Sequence, residues 1–383
     1  MSNNSIRILL FTTAFRPFIG GSEIAIEEIA RRLPEINFDI ITPRYTKKLK
    51  SEENFGNIYV YRVGWGILID KLLFPVAGFL KSRKLVLANN YRAIHAYQAS
   101  QAAGATWILK SFYTKLPFIL TLQEGKNLSF QGLLINFFRR LIIRKADMIT
   151  AISNYLKDYA QKINPKTRAI LIPNGVDVDK FSKQFSYGEL TALEDKLGIK
   201  PDDKVILSAS RLVYKNGIDV LIKAMAVLKD KPHNHTWKLI LVGGGPLEEN
   251  LRLKVKNLKL ESDIIFTGSI SHEDLPAYLK IADVFVRPSR SEGLGIAFLE
   301  AMAADIPVIG TGVGGIPDFL KSGETGLICQ VNDSNDVAQK ILEIIENQDL
   351  RSRIVQNASN LVKEKYQWDG IARKFDELYK QIK

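Results

Sequence analysis

Two consecutive blocks of the chain alternate short apolar runs with helical patterns, and this alternation restricts the fold more than any other feature. Residues 6–11 and 118–122 are examples of predicted strands in the first block, as are residues 205–209 and 238–242 in the second. Strands that alternate with helices are joined by crossover connections, which produce parallel sheets covered by helices on both faces. The sequence therefore predicts an α/β protein with two doubly wound domains.

The length supports the same division. A chain of 383 residues is about twice the size of a comfortable single core. Its 46% hydrophobic and 25% charged residues exclude a disordered or fibrous protein. A segment rich in Pro, Gly, Asp and Ser begins at residue 173, where the two blocks meet. We expect a first domain at 1–175, an interdomain linker at 176–201 and a second domain at 202–367.

The sequence indicates a cytoplasmic protein. Its single cysteine, Cys329, excludes an internal disulfide and suits a reducing compartment. The first residues lack the basic and then apolar pattern of a signal peptide. No stretch reaches the roughly 18 uninterrupted apolar residues of a transmembrane helix, so we expect none.

Positive charge is concentrated in the first half of the chain. The net charge is +12, yet residues 1–180 hold 26 Lys and Arg against 13 Asp and Glu, whereas the remainder holds 27 against 28. A basic surface favours an anionic partner such as nucleic acid, an anionic membrane or a phosphate-bearing ligand. No helix-turn-helix, zinc or aromatic RNA-binding motif accompanies the charge, so we do not expect nucleic acid binding.

The most informative motif spans residues 288–303. Glu292 and Glu300 lie eight residues apart, the first before a glycine turn and the second inside the helix that follows. Gly293 and Gly295 would leave backbone N–H groups at the helix start aimed at a diphosphate. Two carboxylates on either side of such a turn can accept hydrogen bonds from the hydroxyls of two different sugars.

Other basic and glycine motifs also follow predicted strands. Arg211 and Lys215 follow the strand at 205–209 and can together hold a diphosphate. The turn at 20–23 opens a helix, where it either approaches a phosphate or simply turns the chain. The turn at 243–247 suggests a dinucleotide site, but the next predicted strand does not end in the acidic residue that would hold a ribose. Packing of that turn is the favoured interpretation.

In their order and spacing, these motifs resemble the retaining GT-B glycosyltransferases of glycosyltransferase family 4, the glycosyl transferases group 1. The resemblance implies two Rossmann-like domains that face a central cleft, and a C-terminal helix at 368–383 that crosses back to the first domain. It covers nearly the whole chain. The matching segments are 20–23, 173–177, 208–212, 243–247, 266–268, 292–300, 314–318 and 323–327.

The resemblance implies a role for each residue that matches a family motif. Glu292 would hold hydroxyls of the transferred sugar, and Arg211 and Lys215 would join it in catalysis by neutralising the departing diphosphate. Glu300 would bind the ribose hydroxyls. The remaining donor-binding residues would be Gly21 from the first domain and Gly293, Leu294, Gly295, Gly243 and Gly268 from the second. The chain has no cluster of metal ligands, and the resemblance implies a reaction without a metal or other cofactor.

Two positions depart from the family pattern. Asn216 stands where the family commonly has Lys, and Lys215 precedes it. Gln123 stands where the family often has His, so it can hydrogen-bond a sugar or a phosphate but cannot relay a proton. Glu124 and the strand-end His95 are further candidates on the acceptor side. A purely structural role stays open for both, as a turn acid exposed to solvent and as a packed core residue.

Two apolar segments with clustered cations, at 68–87 and 130–145, lie in the basic half. This composition is typical of a segment that binds an anionic membrane surface, and it is also that of a core helix with a solvated basic edge. Because the first domain of the family usually binds the acceptor, we hypothesise a peripheral enzyme at the inner face of the plasma membrane.

The residues and the resemblance together predict a glycosyltransferase that moves a hexose-type sugar from a UDP- or GDP-sugar to a glycan or lipid-linked acceptor. Cell-surface polysaccharide or glycolipid synthesis is the expected process. The alternative that stays open is a non-catalytic relative that binds a nucleotide-sugar or a glycan, which the departures at Asn216 and Gln123 suggest.

Overall fold

The structure is a computed structural model that describes residues 6–18, 20–67, 69–125, 132–231 and 235–382. It divides into two compact units, one made of Met1–Gly175 with Trp368–Lys383 and the other of Val176–Gln367. Each unit contains a largely parallel sheet with helices, which confirms the α/β class expected from the alternating pattern. Residues 176–201, expected as a linker, fall in the second unit and contain two helices.

The elements of the first unit follow the predicted alternation of strands and helices. In chain order they are β1 (Arg7–Phe11), α1 (Gly21–Arg32), β2 (Asn37–Pro43), β3 (Glu52–Phe55), β4 (Ile58–Val63), α2 (Asp70–Ala88), β5 (Ala93–Tyr97), α3 (Gln101–Phe112), β6 (Phe118–Leu122), α4 (Leu133–Lys145), β7 (Met148–Ala151), α5 (Asn154–Ile163), β8 (Ala169–Leu171) and, at the C-terminus, α14 (Trp368–Gln381).

These strands form one eight-stranded sheet in the order β3-β4-β2-β1-β5-β6-β7-β8. Every pair is parallel except β3 with β4. The central strands β1, β5 and β6 are buried almost throughout, as expected for parallel strands that are covered on both faces. The chain order changes direction at β1, which lies between β2 and β5, so the carboxyl ends of β1 and β5 form the switch point of this sheet.

The C-terminal helix α14 belongs to the first unit, where it packs against α1. It buries an apolar face that includes Trp368, Phe375 and Tyr379. The Trp368 ring lies so close to Gly175 that a Cβ atom at that position would be 2.6 Å away from it. Burial of this face in the core with β1 and β2 stabilises the helix on the unit.

The second unit has the same alternation. Its elements are α6 (Val178–Phe181), α7 (Tyr187–Leu197), β9 (Asp203–Ala209), α8 (Ile218–Asp230), β10 (Thr236–Val242), α9 (Glu248–Asn257), β11 (Ile264–Gly268), α10 (Leu275–Lys280), β12 (Val284–Arg287), α11 (Ile296–Ala303), β13 (Val308–Thr311), β14 (Leu327–Cys329), α12 (Ser334–Glu346) and α13 (Gln348–Lys365).

The second sheet is six-stranded and entirely parallel, in the order β11-β10-β9-β12-β13-β14. Its switch point lies at β9, between β10 and β12. Helix α8 packs against α9 and α12, α11 packs against α13, and the two helices at 176–201 pack against α11 and α10. Among the described residues of the whole chain, no helix is both long and apolar enough to cross a membrane.

Shortening Phe375 tests how far α14 stabilises the first unit. Because this ring is buried, Phe375→Ala should lower the free energy of unfolding by about 3–5 kcal/mol. The neighbouring Lys374→Ala, at an exposed position, is the matched control. Urea denaturation followed by circular dichroism measures both. Equal transition midpoints for the two variants would contradict a stabilising role for this helix.

Candidate active site

The carboxyl edge of the second sheet brings together most of the residues expected to bind the donor. The loop at 210–217 follows β9, and the loop at 288–295 joins β12 to α11. Since β9 and β12 are neighbours at the switch point, these two loops leave adjacent strands toward opposite sides. In open parallel sheets, this is the place where ligands bind.

Close backbone contacts hold the loops after β9, β12 and β13 together. At Gly217, where φ is +69°, a Cβ atom would lie 1.9 Å from the carbonyl oxygen of Pro288. At Gly314, where φ is +57°, it would lie 1.8 Å from the carbonyl oxygen of Glu292. Neither contact leaves space for a side chain, and both φ values favour glycine. The two glycines therefore fix the spacing of the three loops.

The carboxylate of Glu292 is held at this edge by contacts to both of its oxygens. Its Oε1 lies 3.3 Å from the Nζ of Lys215 and accepts the N–H of Gly293 at 3.2 Å. Its Oε2 accepts a hydrogen bond from the Nη2 of Arg287 at 3.0 Å. Two cations and one amide thus compensate a carboxylate that is largely buried. The expectation of a free N–H at Gly293 is wrong, because that group donates to Glu292.

Arg287 was not among the residues singled out from the sequence. It ends β12, is only 5% exposed, and its Nη1 donates to the carbonyl oxygen of Ala209 at 3.3 Å. Its guanidinium also lies 4.7 Å from the centre of the Phe298 ring. The signal that could have revealed it is a lone arginine at the end of an otherwise apolar strand.

The side chains of Lys215 and Asn216 point to different surroundings from one 3₁₀ turn, Tyr214–Asn216. Asn216 is buried, and its Nδ2 donates to the carbonyl oxygen of Arg211 at 2.7 Å. Lys215 reaches Glu292 instead. The ammonium group is therefore at the site although it stands one position before the place where the family has its lysine.

Two arginines of these loops, Arg211 and Arg290, differ in whether their guanidinium groups have partners in the structure. In the described part of the chain, Arg211 is exposed and its guanidinium has no hydrogen-bond or ion-pair partner. Arg290 makes two hydrogen bonds of 2.8 Å to the carboxylate of Asp219 and lies 4.1 Å from the centre of the Tyr214 ring. Burial opposes ionisation of Asp219, but the hydrogen bonds and charge of Arg290 outweigh it and lower the pKa of Asp219. Arg211 is thus available to an anionic ligand, whereas the guanidinium of Arg290 is occupied by its contacts with Asp219 and Tyr214.

Helix α11 begins after Gly295, where φ is +100° and no side chain caps the helix. The first amides of a helix have no partner within it, which favours an anion at this end. Leu294 is buried in the core, so only its backbone faces the helix start. Glu300 lies farther along α11, is almost buried, and accepts a hydrogen bond of 2.8 Å from the Nε2 of His272.

Gly243 and Gly268 serve the packing of the loops after β10 and β11. The N–H of Gly243 donates to the carbonyl oxygen of Gly268 at 2.8 Å. A Cβ atom at Gly243, where φ is +119°, would lie 2.1 Å from the carbonyl oxygen of Ser210. This close approach is the packing role that was favoured for the turn at 243–247.

In the first unit, Gly21 starts α1 just after the loop that follows β1. Gly20 is the N-cap and no side chain caps the helix. Ser22 donates its hydroxyl proton to the carboxylate of Glu23 at 2.8 Å rather than capping the helix. Glu23 is buried, and this burial raises the pKa of its carboxyl group.

Gln123 and Glu124 follow β6 and are both engaged with neighbouring loops. The Nε2 of Gln123 donates to the Oδ1 of Asn174 at 3.1 Å. Glu124 accepts the N–H of Ala99, which follows β5, at 2.6 Å. Its other oxygen, Oε2, is buried without a hydrogen-bond partner among the described residues, and burial raises the pKa of this carboxyl group. Its carboxylate is therefore not the solvent-exposed turn acid considered above.

The suggestion that His95 touches an acceptor is corrected by its burial. The side chain is inaccessible to solvent, with Nδ1 2.8 Å from the Tyr379 hydroxyl and Nε2 2.6 Å from the Thr121 hydroxyl. Burial lowers its pKa to about 3. Because α14 covers this strand, His95 is a core residue that is hydrogen-bonded on both sides. No group of three or more His, Cys, Asp or Glu able to hold a metal lies within the described ranges.

Two family models match the chain. The model described as Glycosyltransferase Family 4 matches residues 19–180, and the model described as Glycosyl transferases group 1 matches residues 191–361. An uncharacterized glycosyltransferase of Methanocaldococcus jannaschii is 28% identical and covers 97% of this chain and 98% of its own length. A GDP-mannose-dependent phosphatidylinositol monomannoside mannosyltransferase of Mycobacterium tuberculosis is 26% identical over 96% of both chains. The alpha-monoglucosyldiacylglycerol synthase of Streptococcus pneumoniae is 26% identical, over 89% of this chain and 78% of that protein.

Solved structures share the fold over the whole length. A sucrose-phosphate synthase from Thermosynechococcus elongatus has a TM-score of 0.84 at 22% identity, with 98% of both chains covered. Anabaena HepE in complex with UDP-glucose has a TM-score of 0.79 at 20% identity, with 97% of this chain and 99% of HepE covered.

The buried contact between Arg287 and Glu292 gives a prediction about stability. Arg287→Met should destabilise the second unit by about 3 kcal/mol, because it removes one cation from a carboxylate that is shielded from water. Adding Glu292→Gln should restore part of this loss, with a coupling energy of about 1–2 kcal/mol. Urea denaturation of the two single variants and the double variant measures the coupling. Strictly additive effects would show that the two side chains do not interact.

Proposed function

Because the chain belongs to the group 1 and family 4 glycosyltransferases, we propose that it transfers a hexose-type sugar from a UDP- or GDP-sugar to a glycan or a lipid-linked acceptor. Cell-surface polysaccharide or glycolipid synthesis is the proposed process, at the cytoplasmic side of the membrane. Relatives that use GDP-mannose and phosphatidylinositol mannoside, or that make a glucosyl diacylglycerol, support a sugar nucleotide and a lipid acceptor.

The arrangement around Glu292 is the observation that carries the proposal. Its carboxylate is oriented by Lys215 and Arg287, and Arg211 lies exposed in the neighbouring loop. We assign Glu292 to the hydroxyls of the transferred sugar. Arg211, Lys215 and the first amides of α11 then balance the charge that develops on the diphosphate.

The remaining donor and acceptor roles are assigned to the other matching residues. Glu300 binds the ribose hydroxyls, and Gly21 of the first unit approaches the diphosphate. The acceptor is assigned to the first unit, where Gln123 and Glu124 lie at the carboxyl edge of the sheet. A carboxylate such as that of Glu124 can accept a hydrogen bond from an acceptor hydroxyl.

The proposed reaction retains the configuration of the sugar. The acceptor oxygen attacks the anomeric carbon from the face that the diphosphate leaves. The bond from this carbon to the phosphate oxygen breaks, the bond to the acceptor oxygen forms, and the leaving phosphate takes the acceptor proton. The protein supplies orientation and fixed positive charge, and we propose that no metal is required.

A second candidate is a non-catalytic relative that binds a nucleotide-sugar. Gln123 favours it, because this side chain is engaged with Asn174 and has no titratable proton for a relay. The oriented carboxylate of Glu292 and the exposed Arg211 are better explained by catalysis, since binding alone does not need both.

One experiment separates the two candidates. A thermal-shift screen with UDP-, GDP- and ADP-sugars identifies the donor, and release of the nucleoside diphosphate is then measured with acceptor present. Glu292→Gln should lower the release rate about 100-fold or more, because the carboxylate charge near the reacting sugar is lost. Glu261→Gln, at an exposed position, is the control. A donor that stabilises the protein without any release would support the binding protein.

The stereochemistry is a separate prediction. Proton NMR of the fresh product should give the same anomeric configuration as the donor. An inverted product would contradict the proposed attack on the face of the leaving group.

A further inference from the structure

Helices α2, α3 and α4 of the first unit present apolar side chains to solvent. Helix α3 packs against both of the others. On α2, a row of exposed side chains follows helical spacing on the face turned away from the core, and on α4 the exposed apolar side chains are at its start. The exposed members include Leu72, Val76, Leu80, Leu87, Phe112, Leu133, Leu134, Ile135, Phe137 and Phe138.

The degree of exposure is unusual for such side chains. Leu133 is 91% exposed, Leu87 71% and Phe112 70%. A helix at the surface of a soluble protein normally turns polar side chains to water, whereas α2 is apolar on its outer face as well as its inner one. So many exposed apolar side chains on neighbouring helices indicate an interaction site.

The same helices carry a strong positive charge. Together α2 and α4 contain eight basic residues and one acidic residue. The acid, Asp70, is buried and accepts the N–H groups of Gly66 and Ile67. Exposed cations such as Arg83 and Arg140 lie on the same helices as the apolar side chains. Apolar groups flanked by cations fit a membrane surface that carries anionic lipid.

We propose that this face of α2, α3 and α4 binds an anionic phospholipid bilayer. Helices α2 and α4 begin at the carboxyl edge of the sheet, the edge where Gln123 and Glu124 also lie. A bilayer against this face therefore holds lipid head groups near that edge. This link to a lipid acceptor rests on the proposed function, whereas the binding of the bilayer does not.

Flotation with vesicles tests the surface on the full chain. Vesicles of phosphatidylcholine with about one third phosphatidylglycerol should carry the protein, and pure phosphatidylcholine vesicles should carry much less. The pair Leu133→Glu and Phe137→Glu should reduce the bound fraction about tenfold or more. Tyr187→Glu, at an exposed aromatic residue of the second unit, is the matched control and should float like the wild type.

The proposal would be overturned if the wild type did not bind anionic vesicles at low salt, or if the double variant bound them as well as the wild type does. It would also be overturned if the wild type were a dimer, the double variant a monomer, and neither protein bound vesicles. The donor thermal shift is recorded on the same samples. If no sugar nucleotide raised the melting temperature of the wild type, this would count against the proposed function but would not change the vesicle result.

A second inference, carried by a different set of contacts, concerns His272 and Lys180. The Nε2 of His272 lies 2.8 Å from the Oε1 of Glu300, and its Nδ1 lies 3.1 Å from the Nζ of Lys180. An ammonium group only donates hydrogen bonds, and an ionised carboxylate only accepts them. The imidazole must therefore accept at Nδ1 and donate at Nε2, which defines one neutral tautomer.

The orientation of the ring is fixed as well. The Phe181 ring packs edge-on against the imidazole, with 5.4 Å between the ring centres. The Nζ of Lys180 also forms an ion pair of 2.6 Å with the Oε1 of Glu273. In the described residues, His272 is the only side-chain partner of the Glu300 carboxylate. We infer that His272 is a positioning residue that orients Glu300 toward the ribose hydroxyls. This inference rests on the proposed role of Glu300.

Selectivity for ribose separates positioning from mere support of the fold. Calorimetry compares the nucleoside diphosphate of the preferred donor with its 2′,3′-dideoxy counterpart, which lacks the hydroxyls that Glu300 would bind. The wild type should prefer the ribose form, and Glu300→Ala should lose this preference. His272→Phe should reduce the ratio of the two affinities about tenfold. His272→Gln, which keeps an N–H group that can donate a hydrogen bond to Glu300, should retain more of the preference. The control His235→Phe should behave like the wild type.

The outcomes distinguish the two claims. If Glu300→Ala loses the preference but His272→Phe keeps it, His272 does not position Glu300 and the proposed ribose site stands. If Glu300→Ala keeps the preference, the ribose site is wrong and the inference falls with it.

Discussion

The ion pairs of Glu292 depend on two strands being in register at the switch point of the second sheet. Arg287 comes from the end of β12, and Lys215 comes from the loop after β9. Removing a carboxylate from water is unfavourable unless cations and hydrogen bonds replace the water, and here both oxygens are compensated by neighbouring strands. The charge of one side chain thus joins the loops that make the site. The chain has the GT-B fold, and each of its two Rossmann-like domains is built on its own largely parallel sheet.

Much of this architecture could be predicted from the sequence because it depends on local patterns. Parallel strands covered on both faces appear as uninterrupted apolar runs, and the runs at 118–122 and 205–209 correspond to β6 and β9. The spacing of Glu292 and Glu300 around a glycine turn also follows from a short stretch of chain. Helix α7 was instead included in a linker, because the segment that contains it begins with residues rich in Pro, Gly, Asp and Ser. The structure shows a helix there of which no residue is buried.

The contacts that sequence reasoning missed are set by residues far apart in the chain. His95 was a candidate for the acceptor side at the end of a strand, with a packed core residue as the alternative. The structure supports the packed residue, whose partner Tyr379 lies on α14, 284 residues later. The only local signal of Arg287 is its place at the end of an apolar strand, and its partners come from another strand and from the loop beyond. Whether Lys215 or Asn216 faces Glu292 is decided by the rotation of a single 3₁₀ turn. Composition and spacing do not contain this information, since it depends on tertiary packing.

The glycines at 217 and 314 have a consequence for the evolution of the site. Each places one loop in direct contact with the carbonyl group of another, without a side chain between them to absorb a shift. The loops therefore cannot change length independently: an insertion in one displaces the backbone that the other touches. Diversification of the ligand must proceed by substitution of side chains at constant loop length, or by exchange of the three loops as a set. In protein engineering, the three loops are accordingly one module rather than three separate targets.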